Sequence, residues 1–203
     1  MLIFQDKLPQ ANRNAIIDKI NSVSGNLGID PNWLMAVIDY ESAGSFSPSI
    51  VNSKSKATGL IQFMPETAID LGTTTAALAQ MSFIRQMDFV QAYYTPYKSR
   101  IKSYVDLYLA TFYPVSMGKP NSYVIGSTPA RQATIARQNP SFDPFKTGKV
   151  TVGAIKTAIL KRVPPNLIKF ITNGGGGLTL LGLAGVALAI YLITKKKKEN
   201  GAR

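Results

Sequence analysis

Apolar residues recur at helical spacing in several stretches of the chain, and the spacing predicts a succession of helices. Residues 10–26 put Ala15, Ile16, Ile17, Ile20 and Val23 at the apolar positions of an amphipathic helix. "GIDPNW" restarts helix, with Asp30 as N-cap and Pro31 in the first turn. In the run that follows, Leu34, Val37, Ile38 and Glu41 are spaced i, i+3, i+4, i+7, so a glutamate sits on an apolar stripe. The Ser-, Gly- and Asn-rich stretch 44–62 reads as loop with at most a small hairpin. Pro65 opens a short helix that stops at Leu71-Gly72, and residues 82–97 and 101–113 read as two aromatic-rich helices. Residues 118–150 are looser, punctuated by "GKPNS", "STPA" and "NPSFDPFKTGK", and a helix near 151–162 follows.

Glu41 is the position that this pattern does not explain. It combines the buried face with the last helical turn, since Gly44 marks the helix end, and the helix dipole there disfavours negative charge. Both placements penalise the ionised form and raise a pKa. That suits a carboxylic acid that holds a proton near neutral pH and gives it away.

Composition narrows the chemistry further. The chain has 203 residues, with neither cysteine nor histidine, which excludes disulfides, thiol nucleophiles, Ser/His/Asp triads and the usual zinc sites. Catalysis must rest on carboxylates, hydroxyls, amides or lysines. Net charge is +12, and +8 remains when the tail after residue 194 is set aside, which fits an anionic partner. No groove-reading motif appears, so nucleic acid is not the leading partner of the folded part. The first 30 residues lack an apolar core segment, and no secretory signal is expected.

The end of the sequence differs in kind. A Gly-rich hinge at 171–177 precedes residues 178–194, which carry no charge and would span roughly 25 Å as a helix. The reading is a single transmembrane helix, followed by a basic tail at 195–203. Lys195 to Lys198 are expected to contact anionic lipid headgroups or, without sequence preference, DNA. The lysines weakly favour a cytoplasmic C-terminus. The expected location is a single-pass membrane protein of an internal virion membrane, with the host cytoplasmic membrane as the alternative.

Three stretches carry the chemistry: Glu41-Ser42; Gly59-Leu60-Ile61-Gln62 with Pro65-Glu66-Thr67-Ala68; and "LYLATFYPVSMGKP" at 107–120. The first two, in this order and spacing, resemble the motifs of the soluble lytic transglycosylase family within the goose-type lysozyme superfamily. The resemblance extends through "QMDFVQAYYTPYK" and covers roughly residues 28–120. The third stretch departs from the Ala-Tyr-Asn-Ala-Gly of cellular members and looks more like the phage-encoded form; the usual tyrosine maps to Phe112 or Tyr113. The resemblance implies a mainly α, lysozyme-like α+β fold, here with the C-terminal transmembrane helix. The division expected is 1–27 as an N-terminal helical segment of the catalytic domain, 28–120 as its core and 121–170 as a helical extension.

The same resemblance implies cleavage of the β-1,4 bond between N-acetylmuramic acid and N-acetylglucosamine in peptidoglycan, with a 1,6-anhydro product. Glu41 would be the acid and then the base. Ser42, Gly59, Gln62 and Tyr113 are the candidate substrate-binding residues. Ser42 has a second reading as a helix cap, and Gln62 one as a hydrogen bond within its loop. Gly59 would permit close approach of substrate, and Gln62 offers a donor and an acceptor to an N-acetyl group. Tyr93, Tyr94, Tyr97, Tyr104 and Tyr108 read as core and rim residues. The phage-like third motif suggests a virion enzyme that opens the wall for genome entry. A muramidase of the same fold and a non-catalytic wall-binding protein are the alternatives. From Asp143 the chain resembles a calcium loop, but Phe145, Thr147 and Ala154 stand where oxygen ligands are needed. Neither metal nor cofactor is expected, and the oligomeric state is left open.

Overall fold

The structure is a computed structural model that describes residues 1–172. These fold as helices joined by irregular segments, in two compact units that divide after Lys119. The first unit contains α1 (Arg13–Leu27), α2 (Pro31–Glu41), α3 (Pro65–Asp70), α4 (Thr75–Ala79), α5 (Phe83–Tyr94) and α6 (Tyr104–Phe112).

Capping follows the sequence closely. α1 ends where Gly28 takes a left-handed conformation at φ 69°, and α2 begins where Asp30 Oδ1 accepts the Asn32 N–H at 2.8 Å. Ser82 and Ser103 cap α5 and α6 in the same way.

α2 is the helix around which the unit is packed. Every residue from Trp33 to Asp39 is buried, because α1 lies against α2 on one side and α6 on another. Ile20 and Val23 of α1, Leu34, Val37 and Ile38 of α2, Met87 and Val90 of α5 and Leu107 of α6 are inaccessible to solvent. Each such side chain contributes roughly 1.5–3 kcal/mol on burial. The N-terminal segment joins this core: Leu2, Ile3, Phe4 and Leu8 are buried, and the Ile3 N–H donates to Asn32 Oδ1 at 2.9 Å. Asp39, buried in α2, is met by Lys7 of that segment at 2.6 Å.

The described part of the second unit holds α7 (Pro129–Gln138), α8 (Val152–Arg162) and α9 (Ile168–Thr172). Ile125, Ile135, Phe142, Val150, Ile155 and Ile159 form its buried centre.

Two expectations are corrected here. The α+β class gives way to a helical fold: among the described residues, strand pairing is limited to isolated bridges, Val51 with Thr58, Thr58 with Phe63 and Val124 with Thr151. In the loop 44–62, Phe46, Lys56 and Gln62 adopt positive φ and interrupt the extended backbone that a sheet would need. The single-pass membrane protein is also not supported. Among the described residues no helix is long and apolar enough to cross a membrane; α1, with 15 residues, is amphipathic and falls short of the ~20 that a span needs. The stretch 178–194 and the tail 195–203 lie outside the described residues.

Candidate active site

Glu41 is the last residue of α2. It keeps part of its surface open to solvent, while the surrounding protein strips water from its carboxyl. That desolvation raises its pKa from 4.5 to about 7, and a hydrogen bond from the Tyr108 hydroxyl opposes the rise. Tyr108 is nearly buried on α6 and its own pKa is raised well above the ordinary phenol value, by burial first and by the nearby Glu41 charge second. The hydroxyl therefore stays protonated and acts as a donor to the carboxylate. The Tyr108 ring is held between two others. Tyr40 meets it edge-on at 5.1 Å, and Phe112 stacks on it at 6.3 Å.

More phenols stand behind the acid. Burial, the Tyr97 charge and the Glu41 charge together push the Tyr93 pKa up, and its hydroxyl donates to the Ala110 carbonyl at 2.8 Å. Tyr94 is fully buried and hydrogen-bonded to Thr111 Oγ1. The two tyrosines tie α5 to α6.

Beyond Glu41 the chain turns at once. Ser42 is fully buried; its Oγ accepts the Phe46 N–H at 2.9 Å and its carbonyl accepts the Ser45 hydroxyl at 2.7 Å. These bonds are made within the turn that follows α2. Ala43 and Phe46 both sit at φ 52°, strained for residues with a Cβ. The loop is closed from below by Gln86 of α5, which is completely buried. Gln86 Oε1 accepts the Leu60 N–H at 2.7 Å, and its Nε2 donates to the carbonyls of Pro48 and Leu78, each at 2.9 Å.

Gly59, at φ 86°, has Gln86 directly beneath it: a Cβ there would lie 2.3 Å from Gln86 Oε1. Gln86 thus occupies the space that a side chain at this position would need. Gln62, at φ 53°, turns its Nε2 to the Gly59 carbonyl at 3.1 Å and remains partly exposed. Tyr113 caps the end of α6, where its N–H bonds to Leu109 and its carbonyl receives the Ser116 hydroxyl at 2.6 Å.

The structure thus places Ser42, Gly59 and Gln62 in one hydrogen-bonded loop that starts at Glu41, and Tyr113 at the cap just past the end of α6, five residues after Tyr108. The residues that sequence reasoning passed over are Tyr108 and Gln86. Tyr108 carries a signal only once α6 is known to pack on α2; the "QMDF" stretch did mark Gln86, without giving its role.

Asp39 belongs to the fold and not to this centre, since it is paired with Lys7. Glu66 is an exposed first-turn residue of α3. Among the described residues no cluster of three or more acids could hold a metal ion. Asp143 accepts from the Thr147 N–H and hydroxyl and from the Gly148 N–H, each at 2.8 Å, which commits both carboxylate oxygens to its own turn.

A single desolvated carboxyl poised near neutrality, in a helical scaffold without histidine or cysteine, is the equipment of an enzyme that works by carboxyl acid–base chemistry. Residues 18–89 match the family model described as Transglycosylase SLT domain. This match over part of the chain points to a glycan-cleaving transglycosylase with peptidoglycan as its substrate. The matched span runs from α1 into α5 and includes Glu41, Gly59, Gln62 and Gln86. No curated protein and no solved structure matches the chain.

Proposed function

We propose that the protein is a peptidoglycan lytic transglycosylase that cleaves the β-1,4 bond between N-acetylmuramic acid and N-acetylglucosamine, with Glu41 as its acid and base. The observation that carries the reading is the pKa of about 7 at Glu41, inside the matched SLT span. At that value the carboxyl is substantially protonated at neutral pH and still able to ionise.

The protonated Glu41 gives its proton to the glycosidic oxygen as the C1–O bond breaks, which releases the N-acetylglucosamine side as an alcohol. The substrate's own N-acetyl group shares the positive charge left at C1. Glu41, now a carboxylate, takes the proton from the C6 hydroxyl as that oxygen bonds to C1. The anhydro ring closes and the acid is restored. Tyr108 supports the second half of the cycle by donating to the carboxylate. Gln62 and Tyr113, both partly exposed, are the candidates for holding the N-acetyl group and the sugar ring; Ser42 and Gly59 hold the loop in register. A retaining or inverting hydrolase needs a second carboxylate across the bond, whereas the acids nearest Glu41 in sequence are occupied in the fold, Asp39 by Lys7 and Asp30 by the Asn32 N–H. The "ATFYPVS" form of the third stretch supports a phage virion enzyme that opens the wall during genome entry.

The test is mass spectrometry of muropeptides released from purified peptidoglycan by the full chain and by its Glu41→Gln variant. Anhydro-muropeptides lost in the variant are expected. Reducing-end products would make the enzyme a muramidase, and an unaffected variant would remove Glu41 from the chemistry.

A further inference from the structure

The positive charge of the body is not shared between its two units. Residues 1–119 carry ten lysines and arginines against nine acids, close to neutral, whereas residues 120–172 carry eight against one. That one acid, Asp143, is consumed by hydrogen bonds from its own turn, and the same bonds, the Thr147 N–H first, hold its pKa below the ordinary value. All of the basic side chains except Lys156 are exposed. The second unit is a cationic body whose field has almost no internal compensation.

The placement of these charges says what kind of anion they fit. Arg131 and Arg137 of α7 are six residues apart and so fall on different faces of that helix, at about 100° per residue. Lys146 lies within the Asp143 turn and Lys149 directly after it. No row of charges runs along one face as a regular duplex groove would require. A spread of exposed, singly placed cations suits a flexible polymer bearing scattered carboxylates. Peptidoglycan is such a polymer, because its peptide stems carry free carboxylates.

We propose that residues 120–172 form an electrostatic tether to the carboxylate-bearing peptide stems of peptidoglycan, which holds the enzyme on its polymer between cleavage events. The proposal rests on the peptidoglycan reading given above. It assigns to the second unit a binding function separate from the cleavage function of the first.

The test measures retention of the full-length Glu41→Gln chain, which leaves the wall intact, on purified sacculi stripped of accessory polymers. Retention is compared before and after the stem carboxylates are converted to amides with carbodiimide and ammonia. Amidation is expected to weaken retention about tenfold. So is a further change of Arg131, Arg137, Lys146 and Lys149 to Gln, with an unchanged thermal melt showing that the fold is intact. Replacing the same four residues by Lys or Arg, keeping their charge, is expected to preserve retention, and rising salt to abolish it.

The proposal is overturned if amidation leaves retention unchanged, or if the four-charge variant binds as before. It is also overturned if changing Lys195 to Lys198 to Gln accounts for the whole effect, or if duplex DNA is bound more tightly than sacculi in the same buffer. Digestion of short soluble glycan strands by chains with Glu41 intact reads the cleavage reading alone. Loss of those products in the unaltered chain would end that reading, with retention still judging the tether.

Discussion

The Tyr108 hydroxyl donates to the Glu41 carboxylate, which ties the middle of α6 to the last residue of α2. Desolvation alone would push Glu41 higher than about 7, and this bond holds it back. Replacing Tyr108 by Phe keeps the ring between Tyr40 and Phe112 and removes only the donor. A hydrogen bond to a charged group contributes about 1.5–3 kcal/mol, so the Glu41 pKa should rise by about one to two units. The alkaline limb of the kcat/KM profile should move up by the same amount, and an unmoved limb would mean that Tyr108 does not tune the acid.

Because the acid must start protonated, activity of the unaltered protein should fall as pH rises through about 7. Glu41→Gln should lower kcat by about 10²–10⁴-fold.

The same variant has an opposite effect on stability. Folded Glu41 holds its proton more tightly than the unfolded chain does, so stability is full below pH 4.5 and is lost as pH climbs to about 7. The loss approaches roughly 3 kcal/mol at pH 8. Glu41→Gln avoids it and should melt several degrees higher than the native chain at pH 8 and alike at pH 4. Equal melting temperatures at both pH values would show that the acid is not strained by burial.

Gly59→Ala must meet Gln86 at 2.3 Å and also hold a Cβ at φ 86°, which should cost about 3 kcal/mol. Gln86→Ala removes the acceptor of the Leu60 N–H and the donor to Pro48 and Leu78, and should cost about as much. In the double variant Gly59→Ala with Gln86→Ala the clash is gone, so its loss should be smaller than the sum of the two singles. Urea unfolding of the single and double variants reads this, and strict additivity would show that the two residues do not press on each other.

Two ion pairs with similar distances should differ in worth. Asp39 is 2 % exposed at its side chain and Asp88 42 %. Lys19, foremost among the causes, and Arg85 hold the Asp88 pKa below its ordinary value, yet water screens that pair, and Asp88→Asn should change stability by about 1 kcal/mol or less. Lys7→Met takes away a cation from a buried carboxylate and should cost about 2 kcal/mol, discounted because Lys7 itself is 39 % exposed. Thermal melts of the two variants under one buffer decide between these magnitudes.

Much of this was readable along the chain where the determinant is local. Gly28, Asp30 and Pro31 announce the gap between α1 and α2, Pro65 opens α3, and Glu41 stands out because a carboxylate interrupts an apolar stripe. Tyr108 was hidden because its role depends on which helix α6 packs against, and that contact joins residues 67 positions apart. The reason for Gly59 was hidden in the same way, since Gln86 lies 27 positions away. α7 escaped because its ten residues bury only Ile135 and Ala136, too little for a visible apolar face. The buried N-terminal residues Leu2, Ile3, Phe4 and Leu8 have no helical period to betray them.

Four residues between 43 and 62 that are not glycine hold left-handed backbones: Ala43, Phe46, Lys56 and Gln62. Ala43 and Lys56 are exposed, so their side chains give little in return for the strain, which amounts to about 1 kcal/mol apiece. A more stable protein is therefore within a few base changes of this gene's coding sequence, with glycine at Ala43 and Lys56, positions that leave Glu41 and its tyrosine untouched.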